Sequence, residues 1–113
     1  MVSDNYKEGI RLYNAGLFYE AHEEWELAWR SAEGDLKLFY QGLIQAAAAL
    51  LHHSRGNSRG AHVCVTKALQ KLESLPASFM GLDLATYTGA LRDFFAQNGR
   101  ETKKAFPPLE LQP

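Results

Sequence analysis

His22 and Glu26 are the residues of this chain best placed to act together chemically. They stand at i and i+4 in "AHEEWELAW" (residues 21–29), so a helix brings them onto one face. Imidazole and carboxylate suit zinc, iron or manganese, and the same pair can also close on itself as a buried hydrogen bond. The run begins like the zinc-protease helix motif H-E-x-x-H, but Glu26 stands where the second histidine would be. A second group follows in "QGLIQAAAALLHH". Gln41, Gln45 and His52 share one helical face, with Ala48 between them, on a segment with no charged residue from Leu38 to Leu51. A solvent face would carry Lys and Glu. Neutral amides and an imidazole imply a half-buried surface on which each group has a partner. If the two groups face each other, they form a polar pocket between helices, and His22, Glu26 and His52 are the candidate ligands for a divalent metal such as zinc.

Helices must position these residues. Ser3 or Asp4 can cap the first, which runs to about Asn14, and Gly16 makes the turn. The second spans about Leu17 to Ser31, with Phe18, Ala21, Trp25, Ala28 and Trp29 on its apolar arc and Glu24 turned to water. Asp35 can cap a third helix from Leu36 to about His53. Asn57 or Ser58 can cap a fourth, which runs to Leu75 and stops at Pro76. Asp83 can cap a fifth, to about Gln97. No segment alternates over strand length, so the expected fold is all-α, a bundle of about five helices. One domain is expected over residues 1–98, with 99–113 an extended or disordered tail because of its proline pair. A weak repeat supports two stacked helical hairpins: Gly16, Ala21, Trp25 and Ala28 recur as Gly56, Ala61, Val65 and Ala68.

Composition narrows the functions. The 113 residues are 46% apolar, and Lys+Arg 12 against Asp+Glu 13 leaves a net charge of -1, so no basic footprint for nucleic acid is present. No uncharged run is long and apolar enough for a membrane span, and the N-terminus lacks a signal-like segment. The single cysteine, Cys64, supports neither a disulfide framework nor a cysteine zinc site and fits a cytoplasmic setting. No G-x-S-x-G, P-loop or dinucleotide fingerprint occurs. His53 and His62 read as surface residues, Trp25 and Trp29 as core, and Arg55 with Arg59 as a solvated turn.

Two resemblances follow from these residues. Gly9, Leu12, Gly16, Phe18, Ala21, Trp25 and Ala28 sit at tetratricopeptide-repeat spacing, although the internal period is 40 and no third copy exists. More extensively, residues 6 to 75 resemble a small all-helical bacterial and archaeal family of unknown function, which some classifications label a predicted metal-dependent hydrolase. The pattern F-x-E-A-H-E-x-x-E-x-x-W falls on Phe18, Glu20, Ala21, His22, Glu23, Glu26 and Trp29. Q-G-L-I-Q falls on Gln41 to Gln45, and H-x-x-R-G-N on His52, Arg55, Gly56 and Asn57. The resemblance implies a helical bundle and adds Glu23 to the polar set. For an enzyme it implies metal-assisted hydrolysis, with His22, Glu26 and His52 on the metal, Glu23 as general base, and Gln41 and Gln45 orienting ligands. The alternative is a helical interaction module in which the polar set is structural. A small-molecule or protein partner and a homodimer are both open expectations.

Overall fold

The computed structural model describes residues 4–96 and 106–113. Its helices are α1 (Asp4–Asn14), α2 (Phe18–Arg30), α3 (Gly34–Ser54), α4 (Ser58–Leu72) and α5 (Leu84–Ala96). The fold is all-α apart from one hairpin of two-residue strands, β1 (Ser78–Phe79) and β2 (Leu82–Asp83). No helix among the described residues is long and apolar enough to cross a membrane.

The repeat seen in sequence is mechanical. Gly16 and Gly56 turn the chain at φ +82° and +76°, a backbone region that side chains with a Cβ resist. The residues that follow each turn at matching spacing are buried: Ala21, Trp25 and Ala28 on α2, and Ala61, Val65 and Ala68 on α4. Asn57 caps α4 through Oδ1, which accepts from the Gly60 amide at 3.0 Å. Asp83 does the same for α5, accepting from the Thr86 amide and hydroxyl. Two boundaries differ from expectation. α3 starts at Gly34, so Asp35 lies inside the first turn and favours the helix dipole instead of capping it. α4 ends at Leu72, and the chain reaches Pro76 through a tightened turn in which the Leu75 amide donates to the Leu72 carbonyl.

α3 is the central helix. α2 packs along one side of it and α4 along the other, while α1 packs on α2. This explains its missing charges: Phe39, Tyr40, Leu43, Ala46, Ala47, Ala49 and Leu50 are all buried. Gly42 lets α4 approach, since a Cβ there would lie 2.6 Å from Leu72 Cδ2.

Residues 106–113 are extended and held by the bundle. Asn14 brackets Leu109, with its amide nitrogen donating to the Leu109 carbonyl at 2.8 Å and its carbonyl accepting the Leu109 amide at 2.9 Å. Leu109 is 1% exposed, and Phe106 packs edge-on against Tyr13 and Phe18. Leu111 bridges Leu82 on the hairpin. The described part of the expected tail is extended, with Pro107 and Leu109 buried and Pro108 and residues 110–113 exposed. The boundary expected at residue 98 lies outside the described residues.

A tyrosine relay joins this segment to α1 and α5. The Tyr13 hydroxyl donates to the Pro107 carbonyl at 2.6 Å, so the Tyr87 hydroxyl must be the donor in its 2.9 Å contact with Tyr13. Burial is the main cause that pushes both phenols above the ordinary tyrosine value of 10.0. Because the folded values are raised, this contribution is complete below that value and is lost as pH climbs through it. Thermal melts should therefore show stability falling above about pH 10, and Tyr87→Phe should flatten that fall. An equal alkaline slope in the variant would contradict the assignment.

Candidate functional site

The burial of Phe18, Ala21, Trp25 and Ala28 fixes the rotation of α2. His22, Glu26 and Trp29 are left at the edge of its buried arc, half-exposed beside α3. His22 Nε2 lies 2.5 Å from Glu26 Oε1, with the side chains 29% and 41% exposed, so the expected pair forms. Glu23 points outward and is exposed. Glu24 is not simply solvated: it accepts from the Asn5 amide at 2.9 Å and ties α1 to α2. Trp29 is half-exposed rather than core, with Lys37 Nζ 4.2 Å above its ring.

The opening that His22 and Glu26 line draws on α2 alone and does not include Gln41, Gln45 or His52. A shallow depression of about 260 Å³ is lined by Tyr19, His22, Glu23, Glu26, Leu27 and Arg30, all from α2. Gln41, Gln45 and His52 lie on one half-exposed stripe of α3, as their spacing requires, together with Ile44, Ala48 and Leu51. His52 is turned to other work. It sits seven residues beyond Gln45, about 10 Å along the helix, where its Nδ1 accepts from Asn57 Nδ2 at 3.1 Å and packs over Gly60. It therefore fastens the α3–α4 turn. Among the described residues, no three His, Cys, Asp or Glu side chains gather into a group that can hold a metal ion. The set His22, Glu26 and His52 does not fit a zinc centre, because the third ligand is committed to a different turn.

Among the described residues, three buried polar atoms have no hydrogen-bond partner: His22 Nδ1, Trp29 Nε1 and Gln45 Oε1. His22 and Trp29 lie on α2, and Gln45 on α3 shares its direction with His52, toward α4. Each such atom costs about 1–3 kcal/mol when left unpaired. All three lie on residues that the sequence singles out. His53, read from sequence as a surface residue, is half-buried against Phe94 and Phe95. No periodic signal separates it from its neighbour His52.

These features define a small helical-bundle domain whose central helix lacks charge from Leu38 to Leu51, with a His–Glu pair on the helix beside it. Residues 6–63 match the family described as Domain of unknown function (DUF309), and this chain belongs to that family. An uncharacterized protein of Aquifex aeolicus (strain VF5) is 33% identical over 107 residues, covering 94% of this chain and 31% of that protein, so this chain spans about a third of the relative's length. The crystal structure of a conserved hypothetical protein from Thermus thermophilus is 35% identical with a TM-score of 0.72, over 85% of this chain and 99% of that one.

Proposed function

We propose that this chain is a helical protein-binding module whose docking face is the outer surface of α2, α3 and α4. The observation that carries the reading is the α3 stripe: half-exposed, without charge, and bordered by buried polar atoms that lack partners. A solvated face would be charged, and a closed core would satisfy its polar groups. On this reading Gln41, Gln45 and His22 offer hydrogen bonds to an incoming helix, and Ala48 lets it approach closely. The longer Aquifex relative, in which the matched region is one part of a larger protein, accords with a module. The unpaired Cys64 accords with a cytoplasmic setting, and the net charge of -1 argues against nucleic acid as the partner. Ala48→Arg tests it, by placing a long cation in the middle of the stripe. Proteins bound by the wild type should be lost by the variant while its helical circular dichroism is unchanged. Equal binding by both would remove the face from consideration.

Metal-dependent hydrolysis is the second reading. The paired His22 and Glu26 beside Glu23 on one opening favour it. It needs further ligands from outside the described residues, since His52 is engaged at the α3–α4 turn. Calorimetric titration with zinc separates the readings. The binding module predicts no saturable uptake and an unchanged melting temperature. Uptake of one ion per chain, abolished by His22→Ala, would favour the hydrolase.

A further inference from the structure

We infer that the partner for this face is a second copy of the chain, stacked about a two-fold axis parallel to α3. The inference rests on the binding-module reading and names its occupant. The floor of the face is the α3 stripe of Gln41, Ile44, Gln45, Ala48, Leu51 and His52. Its two borders carry opposite charge. α2 has four glutamates against Arg30, and Glu23 and Glu26 line a depression on its outer surface. α4 has Arg59, Lys67 and Lys71 and no acidic residue. Lys71 stands against α3, its Cβ 3.5 Å from where a Cβ on Gly42 would lie.

Two symmetric stackings of such a face exist. An axis running across α3 lays α2 on α2 and α4 on α4, setting like charges together. An axis running along α3 lays α2 of each copy on α4 of the other, and the opposite charges meet twice. Charge complementarity selects the second.

The levels along the helices agree. Lys37 Nζ over the Trp29 ring brings the end of α2 beside the start of α3, so Glu26 and Glu23 lie further along, toward the middle of α3. On the other side, a Cβ at Gly42 would meet Leu72 and Lys71, which puts Lys71 at the level of Gly42. Rotation about an axis along α3 preserves level. Glu23 and Glu26 of one copy are therefore brought toward the end of α4 that carries Lys71 of the other. Arg30 and Lys37 lie past the end of α4 and oppose none of its lysines. Along the axis each α3 residue meets its own counterpart. Small Ala48 permits close approach, and the Gln45 amide nitrogen of one copy can donate to the orphaned Gln45 Oε1 of the other. Three helices at their usual spacing make a face about 30 Å wide and 22 Å long, on the order of 650 Å² per copy. That is near the lower end for a specific complex, and it predicts a dimer of micromolar strength.

Charge reversal tests the axis. Sedimentation equilibrium from about 1 to 200 µM, a range set by the micromolar affinity, should show the 12.7 kDa chain moving to twice its mass. Glu23→Lys and Lys71→Glu, both surface changes, should each weaken self-association about ten-fold, since each homodimer then holds two like-charge contacts. An equimolar mixture of the two variants should regain dimer: one contact is then the reversed pair and the other is native. A wild type that stays at monomer mass, variants that associate as the wild type does, or a mixture no stronger than its components would each overturn the inference. A monomeric wild type whose protein partners are lost in Ala48→Arg would overturn self-docking yet leave the binding-module reading in place. Absence of both dimer and such partners would remove both.

Discussion

Gly9→Ala should cost about 3 kcal/mol of stability, overpacking of a filled site and a lost hydrogen bond together outweighing the gain in helix propensity. Gly9 is in the interior of α1, where alanine ordinarily stabilises. A Cβ at this position would lie 2.1 Å from Trp25 Nε1 and 2.5 Å from Cδ1. Trp25 has nowhere to go: it is fully buried, its ring lies beside Tyr13, and its indole N–H donates to the Tyr6 carbonyl at 3.2 Å. Either the indole shifts and that bond breaks, or α1 lifts off α2. Gly89→Ala is the matched control. It also lies within a helix, a Cβ there meets nothing within 4 Å, and the change should stabilise by about 0.5–1 kcal/mol. Urea denaturation of the pair reads both. Equal midpoints for Gly9→Ala and wild type would show that the α1–α2 approach is looser than described.

Leu109→Ala should be comparably damaging, at about 3 kcal/mol. The residue lies far along the chain, in a segment without helix or strand, yet it is 1% exposed within the core. Asn14 holds its backbone on both sides. Truncating the side chain leaves a cavity bordered by a segment with few other anchors, so the loss includes part of the docking of Phe106 and Leu111. Leu111→Ala, at a residue 39% exposed, should cost well under 1 kcal/mol by comparison. Similar values for the two would mean that the extended segment is not part of the core.

These two sites show what the sequence makes legible. The helices announce themselves by period and punctuation: Gly16, Gly56, Asn57 and Asp83 each act where their chemistry suits them. The hairpin does not. Its strands have two residues each, and its turn places Met80, at φ 53°, where asparagine or aspartate would give the signal. The Tyr6 hydroxyl, donating to the Met80 carbonyl, holds the turn from α1, a contact between residues 74 apart that no local pattern reports. The C-terminal segment is hidden for the same reason. Its proline pair correctly forbids a helix, but only the tertiary position of Asn14 makes Leu109 core.

The candidate site divides similarly. Spacing on one helix is reliable, so His22 meets Glu26, and Gln41, Gln45 and His52 share a stripe. Translation between helices is not contained in a wheel. His52 shares a direction with Gln45 but stands two turns away, and a capping asparagine takes it. The residues singled out by the sequence therefore have at least two tasks. His52 and Asn57 fasten a turn, whereas His22, Gln45 and Trp29 each leave a buried polar atom without a partner among the described residues.

In the proposed dimer the α3 stripe closes on a second copy about an axis along α3. Disulfide trapping tests it most directly, because residues near such an axis meet their own counterparts. In a Cys64→Ser background, Ala48→Cys should cross-link under mild oxidation into a covalent dimer within minutes, a disulfide requiring Cα atoms within about 7 Å. Asp93→Cys, an exposed position on α5 away from the face, should remain monomeric in the same conditions. Cross-linking of Ala48→Cys no faster than that of Asp93→Cys would contradict the account.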